Sequence, residues 1–196
     1  MKQFRVKDLM IPLGEYATVG ENATLQEAVR VLKEAQRKYL EKTRTSQEIR
    51  YPHRAVLVLD DEGRVVGKVS QLDVLRALEP RYARIMDSSS VPRVTASGFS
   101  AEFLEDLIER YELFSSGLRD LCQKAAERKV RDFMYTPQEG EYVREEDTLD
   151  RAVHKLVMGQ HQSLLVLNGK EEIVGILRLV DVFEVIASEI EACPIQ

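Results

Sequence analysis

Cysteine is scarce: Cys122 and Cys193 are the only two in 196 residues, and they lie far apart with no metal-type spacing around them. That excludes a disulfide framework and a zinc site, and both are read as reduced thiols. Basic charge is not in surplus either. With 28 Lys and Arg against 33 Asp and Glu, the net charge of −5 gives no general attraction to nucleic acid or to an anionic membrane surface. No hydrophobic run approaches the length that spans a bilayer, and Met1 is followed by Lys2-Gln3-Phe4-Arg5 rather than by an apolar segment, so a cytoplasmic protein is expected. The chain lacks a phosphate loop of the Walker type, a dinucleotide fingerprint and a nucleophile with a base beside it. His154 falls on the polar side of a helical pattern and His161 just before a strand, without the grouping a metal needs. No catalytic residue and no metal ligand is therefore expected, and the chain is not read as an enzyme. What remains, 44% hydrophobic and 31% charged, is a globular composition long enough for one large domain or two small ones sharing a core.

What is present is one unit written twice. Val56-Leu57-Val58-Leu59-Asp60 returns as Leu164-Leu165-Val166-Leu167-Asn168, and Gly67-Lys68-Val69-Ser70-Gln71-Leu72-Asp73 returns as Gly175-Ile176-Leu177-Arg178-Leu179-Val180-Asp181, both 108 positions later. Upstream, Lys7-Asp8-Leu9-Met10 matches Arg131-Asp132-Phe133-Met134, and Thr24-Leu25 matches Thr148-Leu149, at an offset of 124. The first copy thus carries 16 extra residues between Leu32 and Ala55. In each copy a short extended piece precedes a helix. Thr24-Leu25-Gln26-Glu27 has the form of a capping box, and Leu25, Ala28, Val29, Leu32 and Ala35 fall on one helical face. Apolar, β-branched runs on either side of Asp60-Asp61-Glu62-Gly63 predict a strand, a tight turn and a returning strand. Ser70 then opens a second helix that ends near Pro80.

The 16-residue insert is locally basic, with seven basic and three acidic residues from Lys33 to Arg54. It reads as a solvated extension of the first helix plus a loop, or as a phosphate-attracting lip. Between the copies, residues 79–129 are far longer than an ordinary connection. Phe103, Leu104, Leu107, Ile108, Tyr111 and Phe114, resumed by Leu118, Leu121, Cys122 and Ala125, form a helical stripe there. Such a stripe must be covered by the chain's own repeats or by a second subunit, and a second subunit is favoured.

The doubled order of strand, helix, strand, strand, helix, the openings Asp8-Leu9-Met10 and Asp132-Phe133-Met134, and the Gly-x-x-Ser-x-x-Asp motif resemble a pair of cystathionine-β-synthase-type (CBS) domains. The resemblance implies an α+β fold of two pseudo-symmetric repeats, residues 1–78 and 130–196, joined by a helical connector over 79–129. It also implies a homodimer and clefts for AMP, ADP, ATP or S-adenosylmethionine, with no required cofactor. The residues themselves allow such a role. A glycine ending a strand lets a ligand approach the backbone closely, a hydroxyl at a helix start suits a phosphate, and a carboxylate can accept from both ribose hydroxyls. Ser70-x-x-Asp73 is equally acceptable as a helix cap. In the second copy Arg178 replaces the hydroxyl. It could donate to a polyphosphate, fill the cleft, or pair with Asp181. The candidate ligand-binding residues are Gly67, Ser70 and Asp73, with Ala17, Thr18, His53 and Arg54 beside them, and Arg178 and Asp181 in the second copy. The function expected is a regulatory adenosine-ligand sensor acting on an unknown partner protein. The alternative is a structural dimerisation protein with degenerate clefts.

Overall fold

The computed structural model describes residues 3–45, 54–87 and 98–193. Seven strands and seven α-helices follow in the order β1 (Ile11–Pro12), β2 (Thr18–Gly20), α1 (Leu25–Thr45), β3 (Ala55–Leu59), β4 (Val65–Ser70), α2 (Gln71–Leu78), α3 (Arg81–Asp87), α4 (Ala101–Arg110), α5 (Leu118–Ala126), β5 (Tyr142–Arg144), α6 (Leu149–Gly159), β6 (Ser163–Leu167), β7 (Ile173–Arg178) and α7 (Leu179–Glu191). The strand order is β2-β3-β4 in one sheet and β1-β7-β6-β5 in the other. Each sheet repeats one design: a parallel first pair, Val19 opposite Val58 and Val143 opposite Val166, then an antiparallel hairpin. This is the α+β, two-repeat architecture expected from the sequence. Among the described residues, no helix is long and apolar enough to cross a membrane.

The openings of the repeats change places. Ile11 of β1 pairs with Ile176 of β7, and Tyr135 exchanges both backbone hydrogen bonds with Lys68 of β4, each at 2.9 Å. Val6 is wholly buried with Val143, Leu149, Leu164 and Leu177, while Val130 is wholly buried with Val19, Ala28, Val56 and Val69. Each repeat therefore contributes a core valine to the other, and burying one such side chain contributes about 1.5–3 kcal/mol. A third cluster, Tyr16, Leu57, Leu165 and Ile176, lies where the sheets meet. Leu57 and Leu165 occupy the same place in the two copies and face away from Val56 and Val58, or Leu164 and Val166, as strand alternation requires.

Helix α1 begins at the expected capping box: Thr24 N–H donates to Glu27 Oε2 at 2.7 Å and Glu27 N–H to Thr24 Oγ1 at 3.2 Å. It runs to Thr45, well past the length of α6, and its added turns carry the i,i+4 pairs Arg37–Glu41 and Lys38–Glu34. In the described part of the insert, the helical extension is what forms.

Among its described residues, the connector forms three separate helices, α3 to α5. Ala125 is buried with Leu25 and Ala77 of the first repeat, and Leu113 is buried, whereas Leu104, Ile108, Phe114 and Leu118 remain exposed and α4 has no buried residue. Helix α4 is held through the turn that follows it. The Glu79 carboxylate, only 3% exposed, accepts from Phe114 N–H at 3.0 Å, and the Arg81 guanidinium donates to the carbonyls of Tyr111 and Glu112. Glu112 and Phe114 sit in the left-handed region at φ 48° and 55°, which for residues with side chains persists only under such restraint. Glu79→Ala should therefore raise amide exchange across residues 101–115 by about tenfold or more, read by hydrogen–deuterium exchange, with the sheets unaffected.

Candidate functional site

Strand β4 ends at Ser70, which caps α2. Ser70 N–H and Oγ–H both donate to Asp73 Oδ2, at 2.8 and 2.6 Å, and Asp73 N–H returns a bond to Ser70 Oγ at 3.3 Å. The cap and the candidate site are one object. Asp73 is only 6% exposed, and its other oxygen, Oδ1, lies 3.6 Å from Arg76 Nη1. A carboxylate offers about four lone-pair positions, so Oδ1 retains acceptor capacity for a ligand hydroxyl.

Along β4 side chains alternate, which puts Lys68 and Ser70 on one face and Gly67 and Val69 on the other. The Lys68–Ser70 face opens on a cleft of about 510 Å³ between the repeats. Arg54, Lys68, Ser70, Asp73 and Arg76 line it from the first, and Tyr135, Glu141, His161, Ser163 and Arg178 from the second. Gly67 faces the opposite way, and an added Cβ there would lie 2.7 Å from Met134 Sδ and 2.9 Å from the Tyr135 carbonyl oxygen. Gly175 is alike, with the Ile11 carbonyl oxygen at 2.5 Å. In both copies the bare glycine admits the crossing segment of the other repeat. The reason given from sequence, close approach of a ligand, is corrected to close approach of the chain itself. Ala17 and Thr18 also lie off the cleft wall. The Ala17 carbonyl accepts from Leu57 N–H at 3.0 Å, and Thr18 pairs with Leu57 in the sheet. His53 lies outside the described residues.

In the second half of the cleft the two motif side chains pair with each other. Arg178, 8% exposed, donates to Asp181 through Nε at 2.6 Å and Nη2 at 2.5 Å, a two-pronged pair. Of the alternatives open in the sequence, this is the pairing with Asp181.

Among the cleft residues that escaped the sequence reading, Lys68, Tyr135 and Glu141 form a cluster. Glu141, 2% exposed, receives Lys68 Nζ at 2.6 Å on Oε2, and Tyr135 OH at 2.5 Å and Gln138 N–H at 3.1 Å on Oε1. The Lys68 ammonium also lies 4.9 Å from the Tyr135 ring centre. Burial alone would push the Glu141 carboxyl up, but the hydrogen bonds from Lys68, Tyr135 and Gln138 and the Lys68 charge hold it below the ordinary carboxylate range. Burial, followed by the hydrogen bond to Glu141 and its charge, pushes the Tyr135 phenol up to about 12. The triad is thus an ionised carboxylate among committed donors. Its signal was in the repeat itself, since Lys68 interrupts an apolar strand where the second copy has Ile176, and Glu141 stands where the first has Ala17. Among the described residues, no group of three or more His, Cys, Asp or Glu is arranged to hold a metal ion.

The model of the CBS domain matches residues 6–80 and 130–188, well over half of the chain. The chain belongs to the CBS domain family. It is a tandem CBS pair, and solved structures share its fold. CBSX2, a CBS-pair protein known from Arabidopsis thaliana, was solved in complex with AMP. That structure superposes with a TM-score of 0.55 at 21% identity, over 96% of this chain and 98% of CBSX2. The CBS domain of a bacterial CNNM/CorC family Mg²⁺ transporter in complex with ATP gives 0.58 at 15% identity, over 95% and 89%. A protein from Methanocaldococcus jannaschii gives 0.55 at 20% identity over 94% of this chain, which spans 60% of that protein's length. At these identities the likeness is one of fold. No curated protein sequence matches this CBS pair.

Proposed function

We propose that this CBS pair is a regulatory module without catalytic activity that holds one phosphorylated adenosine compound per chain, in the half of the cleft built by Ser70 and Asp73. The charge of the cleft carries this reading. Four cationic side chains, Arg54, Lys68, Arg76 and Arg178, line it against Asp73 and Glu141, on a protein whose net charge is −5. Counting Asp181 against Arg178 leaves the balance positive. A positive cleft favours a phosphate and disfavours the sulfonium cation of S-adenosylmethionine. AMP in CBSX2 and ATP in the transporter domain support adenosine phosphates as the class. The Arg178–Asp181 pair supports a single occupied half, since a ligand in the other half would first have to break a two-pronged ion pair. Regulation follows if the ligand favours one packing of the repeats over another, because occupancy then shifts their equilibrium.

A melting-temperature screen separates this reading from a structural protein with degenerate clefts. AMP, ADP or ATP should raise the transition, because a ligand of the folded state adds stability. No shift with any of them at millimolar concentration favours the structural reading. Asp73→Ala should weaken AMP binding by about tenfold or more, the loss of a hydrogen bond to a charged group. Asp73→Asn, which keeps an acceptor for the cap, separates binding from folding. Unchanged calorimetric affinity in both variants would remove Asp73 from the site.

A further inference from the structure

The fold contains its own control for the buried triad. The crossing segment of each repeat meets the other repeat's sheet at equivalent positions. At one seam Ile11 pairs with Ile176, with Ala17 close along the chain. At the other Tyr135 pairs with Lys68, and Glu141 takes the place equivalent to Ala17. The backbone crossing occurs at both seams, so the crossing itself does not require the ionic one. A buried ion pair is a poor stabiliser compared with apolar side chains of similar volume. Only the ionic seam presents charged side chains to the cleft.

Within the cleft, two obvious phosphate donors are already engaged. The hydroxyl proton of Ser70 goes to Asp73 Oδ2, and the Arg178 guanidinium grips Asp181. Lys68 is placed differently. An ammonium has three donors and Glu141 takes one. The side chain of Lys68 is 19% exposed against 3% for Glu141, so the positive end of the pair faces the cleft and the negative end is shut in. Lys68 shares its strand face with Ser70, two residues away. Tyr135 and Gln138 fix the Glu141 carboxylate, which in turn fixes the ammonium.

We infer that Lys68 reads the phosphate of the ligand and makes the cleft select an adenosine phosphate over unphosphorylated adenosine, with Glu141 and Tyr135 as the positioning residues that aim it. This rests on the ligand class proposed above and adds which residue enforces it. The test moves the apolar seam to the other side of the molecule, in the triple variant Lys68→Ile, Tyr135→Ile, Glu141→Ala. AMP and adenosine are titrated calorimetrically into parent and variant, with urea unfolding as the check on folding. In the parent, AMP should bind about tenfold or more tightly than adenosine, as expected for one charged contact. In the folded variant, most of the preference for AMP over adenosine should be lost, and the affinity for adenosine should be unchanged. Lys68→Arg should keep most of the discrimination. A variant that discriminates as the parent does makes the triad structural and overturns the inference while leaving the ligand class intact. A parent that binds neither compound overturns the ligand class and this inference together. Should the triple variant not fold, Lys68→Met with Glu141→Gln, which keeps an acceptor for Tyr135, gives the same reading.

Discussion

Lys68→Ile alone is expected to lower the free energy of unfolding by about 3–5 kcal/mol, because it leaves the Glu141 carboxylate buried with its charge uncompensated. The surviving bonds from Tyr135 and Gln138 are donors without full charge and do not replace the ammonium. Adding Glu141→Ala should recover most of the loss, since the pair of apolar side chains then resembles Ile176 and Ala17 at the other seam. A double-mutant cycle by urea denaturation measures the coupling, and a single-variant cost below about 1 kcal/mol would mean that Glu141 is hydrated. The pH dependence has a definite sign. In the parent the Glu141 carboxyl is held below its ordinary value of 4.5, so its stabilisation is present above that pH and fades as pH falls through the lower folded value. In Lys68→Ile the deficit should shrink as acid neutralises the stranded carboxylate. On the alkaline side, the Tyr135 phenol is raised from 10.0 to about 12, so its contribution is full below pH 10.0 and is lost between there and about 12. Tyr135→Phe should remove that alkaline dependence.

Gly175→Ala is the second large effect. The added methyl would stand 2.5 Å from the Ile11 carbonyl oxygen and 3.1 Å from Met10 Sδ. The nearer obstacle is backbone, which moves only if β1 shifts away from β7, and overpacking of this kind costs about 1–3 kcal/mol. Gly67→Ala should cost less, because its nearest obstacle at 2.7 Å is the flexible Met134 side chain, with the Tyr135 carbonyl oxygen at 2.9 Å behind it. Gly169→Ala has nothing within 4 Å and serves as the neutral control. Thermal melts of the three order them. A Gly175 variant as stable as the parent would mean that the crossing segment is not held as described.

The two repeats could be read from the chain because strands, turns and caps are local, and a local pattern that recurs at offsets of 108 and 124 survives any later packing. Thr24 and Glu27 formed the expected box, and Arg54 and Ser70 bracket the expected hairpin. The exchange of Val6 and Val130 could not be read in the same way. Each lies in the same local pattern, and nothing in either pattern says which sheet receives it. The reason for Gly67 and Gly175 was hidden for the same cause, since the neighbour they admit comes from more than sixty residues away in one case and more than one hundred and sixty in the other. Ser70 and Asp73 were found as a pair, and the structure adds that they cap and line the cleft at once. Lys68 was passed over as one residue of an apolar strand, although its mismatch with Ile176 marks it. The meaning of that mismatch required Glu141, 73 positions away.

The central claim is that one half of the cleft, and not the other, takes an adenosine phosphate. Calorimetric titration of the intact chain with AMP tests it most directly. The account predicts a single site per chain, weakened by Asp73→Ala and unaffected by Asp181→Asn. Two equivalent sites per chain, or no heat of binding at millimolar AMP, would contradict it.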